Sequence, residues 1–240
     1  MNPHALQIDA LVAGYGERRV LAGLDLSVAR GQWLAVVGAN GSGKSTLLDV
    51  VSGRHALQSG SIHIDGRALQ ADAIAAKARL GYAVSADALP AVLSGRQCLA
   101  IHAQAKQVAI DDETLQLATA LRLASRLDEP VSLYSYGTRQ KLGVLLALLG
   151  EPALIVLDES FNGLDPASGL TLKRHLRERV DAGRCGIVLA THALDIVERW
   201  CDRAVLLDEG RLVGDWDRDS LRRLHEQGGL EAAMACIPAR

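Results

Sequence analysis

The sequence predicts an α/β fold built on a mainly parallel sheet, with an antiparallel β subdomain ahead of it and a helical subdomain inserted into it. Three observations predict this. Short alternating apolar runs crowd the N-terminal part of the chain. Continuous apolar runs at Trp33–Val37, 154–157, 187–190 and 205–207 read as buried strands. Between the first two of these, residues 86–150 carry no strand-like run at all.

Taken in order, residues 8–12 form a short apolar run and Gly14-Tyr15-Gly16 a turn, after which Leu24, Leu26 and Val28 alternate with Asp25 and Ser27. Ile62 and Ile64 alternate around His63 and stop at the Asp65-Gly66 turn. These pieces make the antiparallel sheet. Trp33–Val37 instead runs straight into a glycine-rich loop. In the middle region Leu117 and Leu121 share a helical face, as do Leu142, Leu145, Leu146 and Leu149. After Pro152 strands and helices alternate again. Asp165-Pro166 opens a helix as cap and first residue, and Leu172, Leu176 and Val180 line one face of it. No repeat, low-complexity stretch or linker divides the sequence, so residues 1–240 read as one domain containing the helical subdomain at about 86–150.

Composition narrows the function. The net charge is −2 and aromatics make up 3 %, which leaves neither a broad basic surface nor stacking platforms for nucleic acid. The longest apolar stretch, 142–157, is interrupted by Glu151 and Pro152 and falls short of the roughly 18 apolar residues of a membrane helix. The start of the chain lacks the basic and apolar blocks of a signal peptide. Cys98, Cys185, Cys201 and Cys236 show no paired spacing and read as reduced thiols of a cytosolic protein.

Gly38-Ala39-Asn40-Gly41-Ser42-Gly43-Lys44-Ser45 fits G-x-x-x-x-G-K-[ST] at every fixed position, between a strand and a helical run containing Leu47, Leu48 and Val51. This is the phosphate loop of a P-loop NTPase core. Its backbone N–H groups, and those of Thr46 after it, point at phosphate oxygens with the helix dipole behind them. Lys44 reaches the β- and γ-phosphates of ATP, and the Ser45 hydroxyl binds Mg²⁺.

The run 154–157 ends in Asp158-Glu159. A buried strand delivers Asp158 to its carboxyl end, where α/β sheets place ligands, and there it holds Mg²⁺. Strand alternation turns Glu159 to the other side, which suits it to polarise the water that attacks the γ-phosphate.

The segment 133–141, Leu-Tyr-Ser-Tyr-Gly-Thr-Arg-Gln-Lys, resembles the signature of ABC transporter ATPases in its Y-S-x-G-x-x-Q-[KR] form. Ser135 and Gly137 match the fixed positions; Tyr134, Tyr136 and Thr138 depart from the commonest residues. A serine and a glycine opening a helix make an anion site. The other family positions follow in order. Tyr15 sits where the family stacks an aromatic on adenine, and Asn162-Gly163-Leu164-Asp165 resembles the loop that crosses the dimer interface. His192, after Ala190-Thr191, resembles the switch histidine that contacts the γ-phosphate. The likeness spans roughly residues 6–230.

The resemblance implies a catalytic set of Glu159, His192 and Lys44 in an ATPase that powers transport. Two such domains, as a homo- or heterodimer, close around two ATP molecules, each held between residues 38–46 of one subunit and 135–137 of the other. Separate transmembrane permease subunits provide the only membrane contact, so the chain sits in the cytoplasm, peripheral to the inner face of the membrane. The Tyr-Ser-Tyr-Gly and Phe-Asn-Gly-Leu-Asp-Pro segments lean towards export. One position departs: where the family carries a glutamine after G-Y-x-x, this chain has Ser85, implying slower or differently coupled hydrolysis. Rival readings are an assembly-type ABC ATPase outside transport, a P-loop kinase, which leaves Ser135, Gly137 and His192 unexplained, and a degenerate subunit, against which Glu159 argues.

Overall fold

Strands β1 (His4–Tyr15) and β2 (Arg18–Ala29) form a long antiparallel hairpin in the computed structural model, which describes residues 2–226 and 228–237. Strands β4 (Ser59–Ile64) and β5 (Arg67–Ala68) extend it to a four-stranded antiparallel sheet in the order β2-β1-β4-β5. The alternation of Leu24, Leu26 and Val28 with polar neighbours puts one face of this sheet inward.

The second sheet has six strands. Strands β3 (Trp33–Val37), β6 (Leu80–Tyr82), β7 (Leu154–Asp158), β8 (Gly186–Ala190) and β9 (Arg203–Asp208) run parallel, and β10 (Arg211–Asp217) pairs antiparallel with β9 at one edge. The order is β10-β9-β3-β8-β7-β6. Every residue of β3 and β8 is buried, because apolar layers cover the sheet on both sides. Alternation splits β3 cleanly: Leu34 and Val36 face the first sheet, whereas Trp33, Ala35 and Val37 face the opposite layer.

Between the sheets lies α1 (Lys44–Val51), with Leu47, Leu48, Val50 and Val51 in the core they share. The short α2 (Ala73–Ala78) leads into β6. The opposite layer holds α3 (Gly95–Lys106), α4 (Asp112–Ala120) and α5 (Tyr136–Leu148), the inserted helical subdomain, together with α6 (Pro166–Asp181). Helix starts follow the expected chemistry. Ser94 and Gln97 form a reciprocal cap on α3, Ser135 accepts from Thr138 N–H at the start of α5, and Asp165 caps α6 ahead of Pro166. Helices α7 (Leu194–Trp200), α8 (Arg218–Glu226) and α9 (Gly229–Ala235) close the far end. No helix among the described residues is long and apolar enough to cross a membrane. Cys98, Cys185 and Cys201 are buried and Cys236 is exposed.

Candidate functional site

Strands β3, β7 and β8 are neighbours in the order β3-β8-β7, so the segments that leave their carboxyl ends converge at one edge of the sheet. The phosphate loop follows β3, Asp158 ends β7 with Glu159 after it, and Thr191 and His192 follow β8. An open cavity of about 690 Å³ is lined by Asn40, Gly41, Gly43, Lys44, Ser45, Thr46, Asp158, Glu159, Asn162 and His192 from these segments, together with Tyr15, Arg18 and Val20 from the β1–β2 hairpin. A groove of similar size, about 650 Å³, crosses β2 and β10 beside Asp25, Arg211 and Cys236 and contains none of the candidate catalytic, nucleotide-binding or metal residues.

The loop is shaped around its own lysine. Gly43 takes φ 110° as N-cap of α1, a conformation that costs a residue with a Cβ, and this lets the chain wrap back over the helix start. Lys44 Nζ donates to the Gly38 and Ala39 carbonyls at 2.7 and 3.0 Å, while Ser42 N–H bonds back to Ala39 O at 3.2 Å. Gly38, Ala39 and Ser42 therefore form the wall of the loop rather than the cavity lining. Burial lowers the Lys44 pKa, and the nearby carboxylates Glu159 and Asp158 oppose that shift. Ser45 stands exposed at the second helical position, where backbone N–H groups of the first turn have no partner within the helix.

The acidic pair differs from the sequence expectation. Strand alternation would turn Asp158 and Glu159 to opposite sides, yet both line the cavity. The reason is that β7 ends at Asp158 and Glu159 takes φ 45°, so the chain leaves the pleat and the second carboxylate swings back beside the first. Burial, then the charges of Glu159 and Asp49, raise the Asp158 pKa against the pull of Lys44 and Arg54. Glu159 Oε2 accepts from Thr191 Oγ1 and Asn162 Nδ2, each at 3.1 Å. Glu159 Oε1 is buried without a hydrogen-bond partner, and His192 Nε2 lies 3.8 Å from it.

Tyr15 stands at the end of β1, 54 % exposed, with the His55 ring beside it. Ser85 is exposed before the turn at 86–88 and does not line the cavity. Ser135 and Gly137 are likewise outside it, at the opening of α5. Gly137 packs instead towards the loop at 159–165, where a Cβ on it would collide with Gly163 O, and further along α5 Lys141 Nζ donates to Asp165 at 2.8 Å. That lysine, with Ser168, holds the Asp165 carboxyl well below the usual range.

Sequence reasoning assigned no part to Arg18, Val20 or His55 at the site, and it passed over Thr191, whose position before the candidate histidine was the available signal. His55 had no local signal, because its contact with Tyr15 joins separate loops.

A parallel sheet with a glycine-rich loop after one strand and carboxylates after a neighbour defines a P-loop nucleotide-binding ATPase. The family model described as ABC transporter matches residues 21–162, and the chain belongs to this family as an ATP-binding subunit. It is 33 % identical to the daunorubicin resistance ATP-binding protein DrrA3 of Streptomyces coeruleorubidus, over 99 % of this chain and 79 % of that one. It is 32 % identical to the methionine import ATP-binding protein MetN of Brucella abortus, over 83 % of this chain and 56 % of that one. Among solved structures, an ATP-binding subunit of an ABC transporter superposes with a TM-score of 0.87 at 30 % identity, covering 96 % of this chain and 98 % of the other.

Proposed function

We propose that this subunit hydrolyses ATP to power an exporter, as one half of a pair of ATPase domains seated on separate transmembrane permease subunits. One observation carries the shared-site reading: Ser135 and Gly137 open α5 but lie outside the cavity that holds the phosphate loop. Ser135 and Tyr136 are exposed there, so the α5 N-terminus is open to a γ-phosphate carried by another subunit. Each ATP then lies between residues 38–46 of one subunit and 135–137 of the other.

In this reading Tyr15 stacks on the adenine, while Lys44 and the first N–H groups of α1 hold the β- and γ-phosphates. Mg²⁺ fits Ser45 and Asp158, two oxygen donors on one cavity, and no cluster of three or more metal-binding side chains exists among the described residues. That sparse donor set suits a cation that takes its remaining oxygens from phosphates and water. When bound, it neutralises charge on the phosphate oxygens. Glu159 Oε1 is the oxygen that polarises the attacking water, because Oε2 is already occupied by Thr191 and Asn162. His192 contacts the γ-phosphate from the β8 side.

Residues 1–240 act as one ATPase domain, and residues 86–150 grip a cytoplasmic helix of the permease. Val92 and Leu133, 87 % and 64 % exposed, supply apolar surface for that grip. The permease provides the only membrane contact, at the cytoplasmic face. Export is supported by the drug-resistance relative, whose match covers 99 % of this chain and 79 % of that one, against 83 % and 56 % for the import relative.

The test is the association state of Glu159→Gln with and without Mg-ATP, by size-exclusion chromatography with light scattering. Pairing only with ATP supports the shared site. A variant that binds ATP and stays monomeric overturns pairing of the free subunit and leaves two forms: pairing with a different subunit, or a dimer that forms only when the membrane subunits hold it.

A further inference from the structure

Tyr15 is an exposed ring at the end of β1, just before the turn at 16–17, and such a ring makes a base platform only if something fixes its plane. One face is already taken. The His55 ring lies against it with centroids 4.5 Å apart and planes tilted by 36°. His55 is half-buried, and its Nε2–H donates to Gly14 O at 2.8 Å, the residue immediately before the tyrosine. The same loop holds the turn at further points: Gln58 N–H bonds to Val12 O at 2.7 Å and Gln58 Nε2 to Gly16 O at 3.2 Å.

This loop is also tied to the phosphate end of the site. It begins where α1 stops, and the Arg54 and His55 N–H groups both bond to Asp49 O inside α1, at 2.8 and 3.1 Å. Helix α1 starts at Lys44, so a single rigid element carries the phosphate-binding turn at one end and the brace of Tyr15 at the other. His55 does not line the cavity itself, whereas Tyr15 does. Its influence on a nucleotide therefore passes through the tyrosine.

We infer that His55 is a positioning residue for base recognition: it covers the rear face of Tyr15 and sets the ring's distance and tilt relative to the phosphate loop. This rests on the proposed stacking of Tyr15 on adenine. Its consequence is specific. Removing the brace leaves the phosphate contacts intact and lets the tyrosine ring swing, so the loss falls on ligands with a base and spares those without one.

The experiment compares ADP with inorganic pyrophosphate by isothermal titration calorimetry with Mg²⁺ on the full chain. The ratio of the pyrophosphate Kd to the ADP Kd measures what the nucleoside adds. His55→Ala is expected to weaken ADP about 3- to 10-fold with pyrophosphate unchanged, and His55→Phe, which keeps a ring against Tyr15, to restore most of that loss. A His55→Ala protein in which both ligands weaken equally, or neither weakens, overturns the inference. Tyr15→Ala separates the two levels. If it lowers the ratio while His55→Ala does not, only the His55 assignment fails; if it leaves the ratio unchanged, the stacking reading itself fails.

Discussion

The Thr191 hydroxyl donates to Glu159 Oε2 at 3.1 Å while the other carboxylate oxygen, Oε1, is buried without a partner. Ala193 N–H donates to Thr191 Oγ1, also at 3.1 Å, which leaves the hydroxyl proton to point at the carboxylate. One oxygen is thus anchored before any water arrives and the other is left without a partner. Glu159→Gln should lower kcat by about 10²- to 10⁴-fold with ATP binding retained. Thr191→Val removes this anchor, leaving Asn162 on Oε2 and freeing Ala193 N–H, and should lower kcat about tenfold with KM unchanged. Steady-state phosphate release measures both.

Ser85 is exposed and absent from the cavity lining. A serine falls two heavy atoms short of a glutamine and can act only through an intervening water. Ser85→Gln should therefore raise the basal ATPase rate about fivefold, because a direct contact replaces a mediated one. An unchanged ATPase rate together with unchanged transport would sink the idea.

The parts of this molecule most legible in the sequence are those whose surroundings are uniform. Trp33–Val37 and Gly186–Ala190 are apolar throughout because both faces are covered, and the glycine loop declares itself because its backbone geometry admits few residue types. Ser135 as a helix cap was readable for the same reason: the unpaired N–H groups of a helix start select a side-chain oxygen. Legibility failed where a single dihedral or a distant contact decides. The φ of 45° at Glu159 cancels the alternation rule in one step, and nothing near His55 announces its packing on Tyr15. Short elements such as Arg67–Ala68 and Ala73–Ala78 offer too few residues for a period to show.

The approach of α5 to the loop at 159–165 leaves no room at Gly137, where a Cβ would run into Gly163 O. That atom is backbone and cannot turn aside, so Gly137→Ala must push the loop and the helix start apart. Both belong to the surface proposed to meet the second subunit. In a Glu159→Gln background, Gly137→Ala should weaken ATP-driven pairing at least about tenfold while ADP affinity stays unchanged. Light scattering across a protein concentration series, with calorimetry for ADP, makes the separation.

Asp65 offers a test of stability instead of turnover. It bridges Arg30 at 2.7 Å and Arg79 at 2.8 Å, tying the β2–β3 connection to the end of α2. Burial pushes its carboxyl up, but hydrogen bonds and charge from the two arginines outweigh that and hold it below the usual carboxylate range. The folded state therefore binds the proton more weakly than the unfolded chain. The stabilisation is fully present above the unfolded value of about 3.9 and is lost as pH falls through the lower folded value. Asp65 takes φ 51°, a conformation that asparagine tolerates well, so Asp65→Asn removes the charge with little backbone cost. The variant should be about 2 kcal/mol less stable than the parent at pH 7, and the gap should narrow steadily below pH ~4. Urea melts at a series of pH values measure it, and a gap independent of pH would mean that the arginine pairs contribute packing and not charge.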